Sequence, residues 1–236
     1  MTELEDEIRG RGYWWIAIRP ARFVEKRIEL SALDGILRRA RVQLRGWDFP
    51  HIDDTRPPTY RLKSISGSTD WMYYREVWRF YQSGQFSYLL GIHEDWVERA
   101  TNIGFGPAWG PPRHLAEQGR LLGVGDALFR YTEAFQFASK LAVTPAGDDR
   151  MHLKIELSGL KDRMLWVDSP HRISMDNKYR AGINSFPLEG DYTSSELASQ
   201  GRELAAEAAR QLFMRFGWHP PIETLKQQQS ELRATG

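Results

Sequence analysis

The strongest constraint on the fold is a pair of apolar, aromatic-rich runs in residues 76–92, which flank Ser83-Gly84. Aromatic and apolar runs of this length, bounded by turn residues, favour β-strands. A tight connection between two antiparallel strands needs a residue with positive φ, and Gly84 supplies it without steric cost. The pattern therefore predicts a β-hairpin.

A two-residue turn would set the register of this hairpin by pairing Gln82 with Gln85. Tyr81 would then lie opposite Phe86, and large apolar side chains would occupy both faces of the strands. An antiparallel pair that faces solvent is polar on one side, whereas this pair carries large apolar groups on both. We therefore expect the hairpin to form the central pair of a sheet that is covered on both faces.

Helical periodicity recurs in three segments, at about 31–44, 126–143 and 194–216. Each carries an apolar stripe that must be buried against another element. Together with the hairpin, these segments predict an α+β fold, in which the helices pack on a largely antiparallel sheet.

The third helix has clear signals at both ends. Thr193 and Glu196 have the spacing of a capping box, in which each side chain bonds the free backbone N–H of the other residue. Gly217 follows the last apolar position and is expected to end the helix with a positive φ. Trp218 should then pack back onto the last helical turn.

Several other segments have strand patterns. An apolar run at 13–18 is followed by proline, and residues 60–66 lead into the hairpin as part of a meander. Residues 151–157 alternate strictly between apolar and polar side chains, as in a strand with one buried face. We expect this strand to return into 163–167 as a second hairpin, and residues 169–192 to be irregular.

The composition fits a folded domain, since 41% of the 236 residues are hydrophobic and 12% are aromatic. The chain has no cysteine, which excludes disulfides and thiolate chemistry. Its longest apolar runs are far shorter than the ~20 residues that cross a bilayer. We expect a cytoplasmic protein with no membrane partner. A glycine- and proline-rich stretch suggests a soft boundary between a basic part at 1–105 and a second part at 106–236.

Positive charge is concentrated near the N-terminus, although the net charge is only +1. Residues 9–63 hold 13 Lys and Arg against 6 Asp and Glu. Guanidinium groups match phosphate oxygens, and an indole can stack on a base. A solvated face paired with nearby acids is the alternative interpretation. The candidate nucleic-acid or phosphate ligands, in and just after the predicted first helix, are Arg38, Arg39, Arg41, Arg45 and Trp47.

The loop after this helix contains Asp48, His51 and Asp53, whose imidazole and carboxylate groups are candidate ligands for a divalent metal. Their spacing matches no established metal motif. Backbone capping by the acids and packing of the histidine explain the same residues without a metal.

No sequence motif indicates a cofactor. Gly123 and Gly125 precede a helix, but Leu128 stands where a dinucleotide fingerprint needs a third small residue. The leading hypothesis is therefore a non-enzymatic binding protein with nucleic acid as its partner. Two alternatives stay open, namely a divalent-metal phosphodiester hydrolase and a structural subunit that docks on another protein through tryptophan-rich surface.

Overall fold

The computed structural model describes residues 2–71, 73–96, 120–168 and 179–231. Its centre is a seven-stranded antiparallel sheet with the strand order β11–β9–β1–β7–β6–β5–β4. Its strands are β1 (Tyr13–Pro20), β4 (Thr59–Tyr60), β5 (Ser64–Trp71), β6 (Tyr74–Tyr81), β7 (Phe86–Gly91), β9 (Arg150–Ser158) and β11 (Ser185–Thr193). Four short strands form two separate pairs, β2 (Val42–Gln43) with β3 (Asp48–Phe49) and β8 (Leu121–Gly123) with β10 (Met164–Trp166).

The helices cover the sheet and bury its apolar side chains. They are α1 (Glu3–Arg9), α2 (Leu33–Ala40), α3 (Val124–Ala142), α4 (Ser194–Met214) and α5 (Ile222–Glu231). α3 packs across one face of the sheet between α2 and α4, whereas α1 contacts β6 and β7. Glu76 faces α3 and its neighbour Arg75 bonds Glu7 of α1, so α1 lies on the opposite face. The predicted α+β architecture and its three long helical segments are confirmed.

The sheet joins strands from both sides of the boundary suggested by the sequence, because β1 pairs with both β7 and β9. The boundary itself, between residues 105 and 106, lies outside the described residues. Within the described ranges, no helix has the length and apolar character needed to cross a bilayer.

The hairpin at 76–92 is confirmed, but its predicted register is wrong by one residue. Phe80 lies opposite Phe86, and the amide of Tyr81 bonds the carbonyl of Gln85 at 2.9 Å. The connection therefore has three residues and ends on Gly84 with φ 85°. Gln82 is drawn out of the ladder because its carbonyl accepts the amides of a neighbouring loop, at residues 27 and 28.

The C-terminal half of the sheet differs from the prediction in two places. β9 is confirmed, but it pairs with β1 and β11 rather than with residues 163–167. The predicted second hairpin is wrong because β10 pairs in parallel with β8. Residues 185–193 form a strand where irregular structure is predicted. Pro187 cannot donate to a ladder, yet it is tolerated because β11 lies at the edge of the sheet. Residues 169–178 lie outside the described part of the chain.

The signals at the ends of α4 are confirmed. The side chain of Thr193 accepts the amide of Glu196, and Glu196 returns a bond to the Thr193 amide at 2.7 Å. Gly217 has φ 83°, and the amide of Trp218 bonds the carbonyl of Phe213 at 3.1 Å. The indole of Trp218 then packs against the Phe213 ring, with 5.1 Å between ring centroids.

The helix predicted at about 31–44 is present as α2, but it ends at Ala40. Arg41 has ψ 138°, which is extended, and Val42 begins β2. Arg41 and Arg45 therefore do not continue a helical row that starts at Arg38. This difference matters for the candidate site.

Two glycines with positive φ allow a matched test of backbone strain against crowding. A Cβ on Gly84 would lie 2.2 Å from the carbonyl oxygen of Ala146, whereas one on Gly217 would meet nothing within 4 Å. We expect Gly217→Ala to lower the free energy of unfolding by ~1 kcal/mol through strain alone. Gly84→Ala should lower the free energy of unfolding by ~1–3 kcal/mol more than Gly217→Ala does, because its Cβ also overpacks the site. Urea denaturation of both variants measures the difference, and equal losses would contradict it.

Candidate nucleic-acid interface

The predicted arginine row is largely neutralised by nearby carboxylates. Arg38 Nε donates to Asp34 at 3.0 Å, and its Nη1 lies 2.5 Å from Asp54 Oδ1. Arg41 Nη1 lies 2.9 Å from Asp48 Oδ2 and 3.7 Å from Asp54. These contacts tie the loop after β3 to the end of α2. Whether the arginines also contact phosphate stays a prediction.

Arg39 and Arg45 have opposite environments. Arg39 is exposed, and no described acid forms an ion pair with it. Arg45 lies in the turn between β2 and β3 and extends towards α3. Its Nε donates to Glu133 at 2.9 Å and its Nη1 to Asp126 at 2.8 Å. Burial alone would lower the pKa of Arg45, but these two carboxylates raise it above its ordinary value. Arg45 thus anchors a loop to the interior.

A second arginine completes this buried network. Arg130 Nη1 donates to Glu133 at 3.2 Å, and its Nε lies 3.6 Å from Asp126. Two guanidinium groups therefore share two carboxylates, and their charges balance. Burial would raise the pKa of Asp126, but Arg130 and Arg45 hold it below its ordinary value. Because a balanced buried network fixes geometry more than it adds stability, its clearest role is to position Arg45 and its loop.

The first turn of α3 binds two carboxylates from other segments. Asp168 accepts the amides of Gly125 and Asp126, each at 2.7 Å. Glu94 accepts the amide of Gly123 at 2.8 Å and the indole N–H of Trp166 at 3.2 Å. The backbone donors that a phosphate would use at this helix N-terminus are therefore already occupied by protein oxygens.

The ionisation of Glu94 follows from its surroundings. Burial raises its pKa to about 8, and the neighbouring Asp126 and Asp168 add to the shift. Its second carboxylate oxygen is buried without a hydrogen-bond partner in the described residues. The neutral acid is therefore the form that the folded protein favours near pH 7.

The candidate metal ligands do not converge. Asp48 contacts Arg41, and Asp53 accepts the amide and hydroxyl of Thr55 at 2.8 and 2.6 Å. The ring of His51 stacks on Trp47 with 4.0 Å between centroids, and burial lowers the pKa of this histidine. Across the ranges that the structure describes, no three histidine or acidic side chains form a group able to hold a metal ion.

A groove of about 370 Å³ lies beside the outer edge of β5. β4 pairs with β5 only at residues 65 and 66, so no described strand covers the edge beyond them. The indole of Trp78 lies over Gly67, whose lack of a Cβ permits this approach. Its N–H donates to the carbonyl of His51 at 2.9 Å, which fixes the loop that forms one groove wall.

Three arginines line this groove, and none of them is among the candidates predicted from the sequence. Arg56 is 87% exposed and lies 3.7 Å from Asp53. Arg61 donates to the hydroxyl of Ser66 at 3.4 Å. Arg79, in β6, has a buried Nε with no hydrogen-bond partner and no ion pair within the described ranges. The basic excess of residues 9–63 already included Arg56 and Arg61, but only the fold brings them to Arg79.

Comparison with known proteins adds no relative. No family model, curated protein or solved structure matches this chain.

The pKa of Glu94 predicts a pH dependence of folding. Because its folded-state pKa of about 8 exceeds the ordinary 4.5, neutral Glu94 stabilises the fold fully below pH 4.5. This contribution is lost as the pH rises to about 8. Glu94→Gln keeps a neutral acceptor, so it should raise the free energy of unfolding at pH 8 by at least ~1 kcal/mol.

Urea denaturation between pH 5 and pH 9 measures this effect. The matched control is Glu3→Gln, since Glu3 is exposed, and we expect its curve to follow the wild type. A Glu94→Gln curve parallel to the wild type over the whole range would contradict the prediction.

Proposed function

We propose that this protein is a non-enzymatic nucleic-acid-binding protein whose groove beside β5 holds backbone phosphates through Arg56, Arg61 and Arg79. The observation that carries the proposal is the state of Arg79. This arginine lines the groove and has a buried Nε without a partner in the described part of the chain. No described acid neutralises the charge of this half-buried guanidinium, so it favours an anion that enters the groove.

The chemistry of the groove favours an anion with several oxygens. Guanidinium groups present planar sets of donors that match phosphate oxygens. Two acids, Glu5 and Asp53, also line the groove, but each is engaged by the protein. Glu5 closes the capping box of α1 by bonding the Thr2 amide at 2.8 Å, and Asp53 bonds Thr55.

The predicted arginine row supports the same proposal in a different role. Arg38 and Arg41 both contact Asp54, so they hold the loop that continues into the groove wall. Arg39 is exposed beside them and carries no ion pair with a described acid. We assign Arg39 a phosphate contact outside the groove, and Arg38 and Arg41 the positioning of the loop.

Salt dependence tests the phosphate contacts. We expect the affinity for a short labelled single-stranded or duplex DNA to fall steeply with salt. The double change Arg61→Ala/Arg79→Ala should weaken binding and lower the log–log salt slope by ~1 to 2, because two phosphate contacts are lost. Fluorescence anisotropy at several salt concentrations provides the slope.

Arg215→Ala is the control, because it also removes an exposed positive charge. Arg215 lies over Phe186 of β11, at the opposite edge of the sheet. We expect the control to keep the wild-type slope. The proposal fails if the wild type binds neither DNA form at low salt, or if both variants lose affinity equally.

A further inference from the structure

Four aromatic rings stack beside the groove. The ring of Trp47 lies 3.9 Å from Tyr74 at an interplanar angle of 6°, and 4.0 Å from His51 at 17°. Trp71 is parallel to Trp47 within 4°, with 5.6 Å between centroids. The rings therefore form one set of nearly parallel planes.

The stack is held by two supports. Trp71 and Tyr74 are cross-strand partners at the ends of β5 and β6. Trp47 belongs to the turn that Arg45 fixes to α3 through Glu133. Because both supports are rigid elements, the ring planes are set before any ligand arrives, and a flat partner loses little to reorganisation of the protein.

One ring of the stack is strongly exposed to solvent. Trp71 is 52% exposed, whereas Trp47, His51 and Tyr74 are each less exposed. In the described part of the chain, the rings that contact Trp71 are Trp47 and Tyr74. A half-exposed indole is unusual for a residue type that is normally buried, and its flat surface suits another π-system.

The stack and the groove share one strand. Arg61 bonds Ser66, which pairs with Arg79, and Trp71 ends the same strand five residues later, ~17 Å away at the rise of a β-strand. Arg79 and Trp71 lie on opposite faces of the sheet, and the edge of β5 between them has no described partner strand. His51 lines the groove and stacks on Trp47, so the groove and the stack meet at this side chain. A strand that follows the open edge of β5 from Arg61 and Arg79 would therefore pass Trp71. Proteins that bind single-stranded nucleic acid combine a positively charged groove with an aromatic surface on which bases stack, and this protein has both features.

We propose that Trp71, backed by Trp47 and Tyr74, is a base-stacking subsite, and that the partner is consequently a single-stranded nucleic acid. This inference rests on the proposed phosphate groove. A duplex hides the faces of its bases within its own stack, whereas an unpaired strand exposes them to an indole.

The test compares three probes of equal length by fluorescence anisotropy: a labelled oligothymidylate, the same strand with abasic sites, and a duplex. Loss of one stacked base is expected to weaken binding between about 5-fold and about 150-fold. Wild-type protein should therefore bind oligothymidylate most tightly. Trp71→Ala should weaken binding of oligothymidylate by a similar factor and leave the abasic strand unchanged.

Two further variants complete the test. Trp71→Phe keeps a ring and should restore most of the affinity. Phe23→Ala removes an aromatic that is 75% exposed, in a loop joined to the opposite end of β5 by the Lys63–Glu25 ion pair, and it should bind like the wild type.

The outcomes separate the stacking subsite from the groove. If the abasic strand or the duplex binds as tightly as oligothymidylate, or Trp71→Ala binds oligothymidylate normally, the stacking subsite is overturned and the phosphate groove stands. If no probe binds at low salt, the phosphate groove is overturned and the stacking inference falls with it.

Discussion

The placement of the candidate interface depends on one buried interaction, the pairing of Arg45 with Glu133 and Asp126. Arg45 lies in the turn between β2 and β3, and its two partners are on α3, so the ion pairs fasten a surface turn to the central helix. Trp47 follows in the same turn. Breaking one of these ion pairs would leave an uncompensated buried charge. The network therefore favours one arrangement, and it holds the turn in a fixed position on α3.

Local patterns in the sequence predicted the elements that depend on local physics. The alternation at 151–157, the capping box at Thr193 and the positive φ of Gly217 each need only a few neighbouring residues, and each is present. A comparable box at Thr2 and Glu5 begins α1, and its spacing could have identified that helix.

Features that depend on distant contacts were not predictable in the same way. The hairpin register changed because a loop at residues 27 and 28 captures the carbonyl of Gln82. Arg45 fits a basic helical row in the sequence, yet its partner Glu133 lies 88 positions away. Asp168 caps α3 from 42 positions beyond its bonded amide at Asp126. Nothing in the neighbouring residues distinguishes these side chains from solvated ones.

The two edges of the sheet differ in how they can meet another molecule. β11 carries Pro187 and the exposed acids Glu189 and Asp191, which discourage a further strand from pairing there. Beyond Ser66, β5 keeps unpaired backbone groups within the described residues, and they face the groove. A sheet with one usable edge can pair with one other sheet at most. Strand addition would therefore close into a two-fold dimer and could not propagate into a fibre.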